Sequence, residues 1–211
     1  MKRKALVLLL AGAITFGFAP ESSAAQSFTA EQQKRVDTIY DVVSKEKNWK
    51  TYGSLPSVCI AQAYVESTMG MAGSRNNLWG LGGGRYSYRT LKQGIYAYMR
   101  CINKSYYTRY GATDTKSWKK QISRILRGGY CVPAGGYYTK VARVVKQFDL
   151  QKYDKKMFNE FKKAKKLRKQ RRLARLRKIR EQEEREQREQ MFKNLEFLYG
   201  NWFTEMSFDL F

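Results

Sequence analysis

Apolar residues recur at helical spacing in five stretches of this chain. Val36, Ile39, Tyr40 and Val43 form the first. Thr29 and Gln32 precede them with the spacing of a capping box. A second helix has Ser54 as N-cap and Pro56 in its first turn. It runs through Val58, Ile60, Ala61, Ala63 and Val65, apolar nearly all round, which predicts burial on every side. Residues 76–89 are rich in Gly and Asn and read as a loop or short hairpin. A third helix has Thr90 at its cap and Leu91, Ile95, Tyr98, Met99 and Ile102 on one face. A fourth carries Trp118, Ile122, Ile125 and Leu126 and stops at Gly128-Gly129. A fifth starts near Tyr137 and shows Val141, Val144, Val145 and Phe148.

Beyond these the pattern changes. Residues 155–190 contain no Gly or Pro and are rich in strong helix formers. Glu181–Arg185 and Glu184–Arg188 are favourable i,i+4 pairs. Its thin apolar stripe predicts a solvated, charged helix or a coiled-coil strand. In residues 191–211, Met191, Leu195, Leu198, Tyr199 and Trp202 share one helical face. Such a face calls for a surface to dock on: the domain, a partner or a membrane. At the other end, Lys2, Arg3 and Lys4 precede an uncharged, largely apolar run over 5–18, followed by the small residues Ser23, Ala24 and Ala25. That is the pattern of a secretory signal peptide over 1–25, and it predicts a secreted or periplasmic protein.

Composition narrows the chemistry. The 211 residues include no His and three Cys, with a net charge of +23. A Ser-His-Asp triad, a Cys-His pair and a His-ligated zinc are therefore excluded. Three Cys cannot supply a four-thiolate zinc site or an all-Cys iron–sulfur cluster. A catalyst here must use carboxylates, Lys, Tyr, Ser or a lone Cys, and no metal or cofactor is expected. Cys59 reads as a small core residue, and Cys101–Cys131 is the pairing expected in an oxidising compartment. Residues 26–154 carry net +13 and residues 155–190 net +10, with twelve Lys/Arg and no acid over 161–180. The composition shift sets a boundary near Asp154. The domains expected are 26–154, the basic helix 155–190 and the aromatic segment 191–211.

Acids are scarce. Glu31, Asp37, Asp41 and Glu46 lie on the first helix or just after it, and Asp149 and Asp154 close the last one. That leaves Glu66 and Asp114. Glu66 ends the most apolar helix, where a carboxyl pinned against apolar side chains is disfavoured as an anion and suited to act as a general acid. Spacing alone favours a solvated Glu on the polar side of that helix. Asp114 suits a helix N-cap.

The run 56–67, Pro-Ser-Val-Cys-Ile-Ala-Gln-Ala-Tyr-Val-Glu-Ser, is followed by Asn76-Asn77-Leu78-Trp79-Gly80. Gly129-Tyr130 and the stretch 138–154, ending Gln151-Lys152-Tyr153-Asp154, come later in the same order. Together these resemble the glucosaminidases of glycoside hydrolase family 73. The resemblance implies a mainly α, lysozyme-like fold (α+β with a minimal β-lobe), here extended by the long charged helix. It implies hydrolysis of the β-1,4 bond after N-acetylglucosamine in peptidoglycan, in a cleft that holds a glycan strand. Glu66 matches the family's general acid and Tyr130 a tyrosine near the cleaved bond. Asn77, Trp79, Gly80 and Tyr138 match substrate-binding positions; a turn Asn and a core Trp would fit the sequence equally well.

One departure bears on mechanism. Many members carry a second acid in a hairpin lobe, but residues 82–89 here are Gly-Gly-Gly-Arg-Tyr-Ser-Tyr-Arg. A one-carboxylate mechanism is therefore expected, with the substrate's acetamido group or a held water completing it. Two alternatives stay open: lytic transglycosylase-like cleavage, and a non-catalytic basic protein that binds the cell envelope. The positive charge suits peptide carboxylates of peptidoglycan and anionic envelope or membrane surfaces. Nucleic acid is not an expected partner, since export removes the chain from it and no base-reading motif is visible.

Overall fold

The computed structural model describes residues 26–73, 75–131 and 135–208, with no side chains described at 198 and 200–208. The expected leader over 1–25 and residues 209–211 of the aromatic segment lie outside the described residues. The chain is mainly α. In order the helices are α1 (Ala30–Val43), α2 (Glu46–Tyr52), α3 (Pro56–Ser67), α4 (Leu91–Ile102), α5 (Ser105–Thr108), α6 (Trp118–Arg127), α7 (Tyr137–Gln147) and α8 (Gln151–Phe208). The predicted capping boxes form at both α1 and α4, where Thr29 and Thr90 pair with Gln32 and Gln93. Ser117 caps α6, so the exposed Asp114 is not its cap.

Helix α3 is the axle of the domain. Pro56 through Ala63 are all buried, as its all-round apolar pattern predicts, and α1, α6, α7 and α8 pack around it. Its start differs from expectation. The N-cap position is Leu55, which has no capping side chain, and Ser54 is buried with no hydrogen-bond partner for its hydroxyl. The orphan donors of the first turn go instead to Asp154, on the first turn of α8. Ser57 N donates to Asp154 Oδ1 at 2.9 Å, and Ser57 Oγ donates to Oδ2 at 2.5 Å. A carboxylate at a helix N-terminus fits both the donors and the dipole.

Gln121 of α6 satisfies the backbone just upstream. It accepts from Leu55 N at 2.9 Å and donates to the carbonyls of Gly53 and Ala112, both at 2.7 Å. Buried polar groups satisfied in this way fix one arrangement of neighbouring elements.

Two further points differ from the sequence reading. No strand forms among the described residues, so the expected β-lobe is a loop. Gly82, Gly83 and Gly84 all take positive φ, which coils the chain back on itself rather than extending it. The expected Cys101–Cys131 disulfide does not form. Helix α8 continues without a break across 154 and 190, the two positions at which composition changes. The expected Glu184–Arg188 pair forms on it at 3.8 Å. None of the described helices is long and apolar enough to cross a membrane.

Candidate active site

Glu66 occupies the last turn of α3, just before the helix ends at Thr68 in left-handed geometry. Contrary to the expectation of a carboxyl pinned among apolar side chains, Glu66 is exposed. The helix is buried along its length, but its C-terminal turn emerges from the core and carries the carboxylate to the surface. Tyr137, at the start of α7, donates its hydroxyl to Glu66 Oε1 at 2.5 Å. Behind it, Gln62 Nε2 donates to Tyr137 Oη at 3.3 Å, and Tyr98 Oη donates to Gln62 Oε1. Tyr98 and Gln62 are fully enclosed in the core. The result is a directional chain, Tyr98 to Gln62 to Tyr137 to Glu66, in which each donor polarises the next. Burial, and after it the carboxylate beside its hydroxyl, raise the Tyr137 phenol far above its usual range, so it stays a donor.

The other side of Glu66 is left open by Gly80. A Cβ built there would come within 3.7 Å of Oε2, with no other atom nearby. Asn77 folds the loop that carries Gly80. Its side chain donates to the carbonyls of Leu81 (3.0 Å) and Tyr86 (2.9 Å) and accepts from Leu81 N (2.9 Å). These bonds replace the ladder that a hairpin would have made. Ser67, next to Glu66, donates to Leu78 O at 2.9 Å and ties the loop to α3.

Trp79 is core rather than surface. It is 2% exposed, its indole donates to Cys59 O at 3.0 Å, and it stacks on Tyr98 at 4.6 Å. Tyr130 also faces inward: its hydroxyl donates to Trp79 O at 3.2 Å, and burial pushes its phenol well above the usual range. Its ring lies 6.0 Å from that of Tyr137. Of the residues singled out in the sequence, Glu66, Asn77, Trp79, Gly80 and Tyr130 thus come together. Tyr138 does not join them by any hydrogen bond or ring contact among the described residues, and it is exposed. Its neighbour Tyr137 holds the contact instead. Tyr137 begins the apolar face 137, 141, 144, 145, 148, a signal that could have found it.

Beside the loop lies a groove of about 450 Å³ with Tyr86, Tyr88 and Tyr106 on its walls and Arg100 and Lys104 at its edge. Among the described residues, no cluster of three or more acidic or Cys side chains is placed to hold a metal ion.

The glucosaminidase family model, described as mannosyl-glycoprotein endo-beta-N-acetylglucosaminidase, matches residues 43–150. This chain belongs to the glucosaminidase family. It is a glycosidase, as the motif resemblance implied. The matched region of this glucosaminidase runs from the end of α1 to the end of α7 and contains Glu66, the Asn77–Gly80 loop, Tyr130 and Tyr137. All of α8 lies beyond it. No curated protein and no solved structure gave a match.

Proposed function

We propose that this glucosaminidase hydrolyses the β-1,4 bond after N-acetylglucosamine in peptidoglycan, with Glu66 as general acid. The observation that carries the reading is the division of labour at the carboxylate. Oε1 is held by Tyr137 at the end of a buried relay, while Oε2 faces the opening beside Gly80. A positioned carboxyl with one free oxygen can protonate the leaving glycosidic oxygen and then take a proton from the incoming water. Residues 82–89 hold no second acid. The acetamido group of the substrate, or a water held in the cleft, supplies the other half of the displacement.

Tyr137 acts as the positioning residue for Glu66, while Tyr130 and Asn77 hold the loop that shapes the opening. The groove of Tyr86, Tyr88 and Tyr106 offers ring faces for sugars, and Arg100 and Lys104 suit stem-peptide carboxylates. The protein works outside the cytoplasm in this reading, and the basic run of α8 holds it near anionic envelope polymers.

The test is digestion of purified peptidoglycan by the wild type and by Glu66→Gln, followed by product masses. A wild type that yields reducing N-acetylglucosamine ends, and a folded Glu66→Gln that yields none, support the proposal. Anhydro-muramic ends would make the enzyme a lytic transglycosylase instead. Digestion by Glu66→Gln would remove Glu66 from the mechanism.

A further inference from the structure

The charge of α8 and the segment after it is divided in two. Residues 155–180 hold fourteen Lys/Arg and one Glu, net +13, whereas residues 181–211 hold three Lys/Arg and eight Asp/Glu, net −5. The helix also carries apolar side chains with nothing over them: Leu173, Leu176, Met191, Phe192, Leu195 and Phe197 are all exposed. Leu173 and Met191 are eighteen residues apart, five turns of helix, and so are Arg177 and Leu195. Glu184 falls on the same face.

At the base of α8 is a cavity of about 400 Å³. Its floor is Trp49, Phe158 and Phe161, with Trp49 edge-on to Phe158 at 5.2 Å. Its rim is Lys116, Lys162 and Lys165. Glu46, the acid at this cavity, is already engaged by Arg168 at 2.8 and 3.0 Å and by Lys50 at 2.8 Å. Lys116 lies over the Phe158 ring at 5.5 Å, and none of the three lysines has an acid within ion-pair distance among the described residues, so the surface suits an aromatic segment that carries acids. The distal end of α8 is such a segment, with Phe192, Phe197 and Tyr199 exposed near Glu196. Within one chain, residues 162 and 197 stand roughly 50 Å apart along a continuous helix at 1.5 Å per residue, so the two cannot meet.

We propose that two copies of this chain pair through α8 in antiparallel fashion, each distal aromatic end seated on the other copy's Trp49–Phe158–Phe161 cavity. A two-fold axis between residues 180 and 181, where the charge changes sign, sets the register. It brings residue i level with residue 361 − i, so the six acids of 181–196 all fall level with a Lys or Arg. Glu184 meets Arg177 on the seam face, while Glu181, Glu183, Glu186, Glu189 and Glu196 lie level with Arg180, Lys178, Arg175, Arg172 and Lys165 around the two helices, so the acidic block of each copy runs along the basic block of the other. The same register places Tyr199 level with Lys162 at the cavity rim. The face shared by Leu173, Met191 and Leu195 then forms the seam.

Light scattering on the purified protein reads the mass, and a short amine-reactive cross-linker reads the direction. The expected result is a dimer whose dissociation constant rises at least tenfold between low and high salt, with links from Lys193 to Lys165, Lys166 or Lys169. Those pairs are too distant to link within one helix. The triple variant Glu183→Lys, Glu184→Lys, Glu186→Lys is expected to be monomeric with unchanged helicity. Mixing it with Arg175→Glu, Arg177→Glu, Lys178→Glu is expected to restore a heterodimer. A monomeric wild type, a dimer linked Lys193 to Lys193, or an unrestored mixture would each overturn the proposal.

Discussion

Replacing Tyr137 with Phe leaves the ring in its buried place and removes one hydroxyl. Glu66 then loses the donor at Oε1, and Gln62 loses its acceptor. A hydrogen bond to a charged group contributes about 1.5–3 kcal/mol, so steady-state assays should show kcat lower by roughly ten- to a hundredfold with KM little changed. Tyr138→Phe, one position on, should leave both constants near wild type. Asp154 makes the second residue-level prediction. Burial outweighs its two bonds from Ser57 and raises its carboxyl to about 6. The folded protein therefore holds this proton more tightly than the unfolded chain, whose carboxyl titrates near 3.8. The contribution of Asp154 is greatest below about pH 4 and is lost as pH rises through about 6, a span of up to about 3 kcal/mol. Denaturant unfolding measured across that window should show this loss, and Asp154→Asn should flatten it.

At the scale of elements, helix α4 and the Asn77 loop approach so closely at Gly94 that a Cβ there would lie 2.0 Å from Asn76 O. Gly94→Ala should lower stability by about 1–3 kcal/mol, as overpacking does, and calorimetry would register it as a lower Tm. Because the displaced carbonyl adjoins Asn77, glycan hydrolysis should fall as well. Five of the helices were legible in the sequence because each repeats apolar residues at helical spacing over ten residues or more. The short α2 and α5 were not: each spans two turns or fewer, and the residue at each N-cap position makes no side-chain cap. The cap of α3 was illegible for another reason. Its acceptor, Asp154, lies 97 residues from Ser57, and no local pattern reports a contact made only by packing. Tyr137 and Tyr138 show the same limit within the site. Local sequence does not say which of two adjacent tyrosines turns inward; the phase of α7 does.

For the whole molecule, the basic part of α8 beyond Arg168 is exposed along its length. Cutting after Asp154 would also remove Met157, which is fully buried, so the informative truncation ends at Arg168. It keeps the Glu46 pair while removing the seven Lys/Arg of 169–180. Binding of this variant to anionic peptidoglycan or vesicles should weaken and lose much of its salt dependence, as co-sedimentation at low and physiological salt would show. The Asp154–Ser57 link has a mechanical side. Helix α8 is a rod roughly 87 Å long at 1.5 Å per residue, and its inner end is fastened to the start of the same helix whose far end bears Glu66. The Asp154 carboxylate, beside the packing of Met157 in the core, is a point at which a tug or twist on the rod reaches α3. A partner that held the tail would thereby exert torque on the helix that bears Glu66.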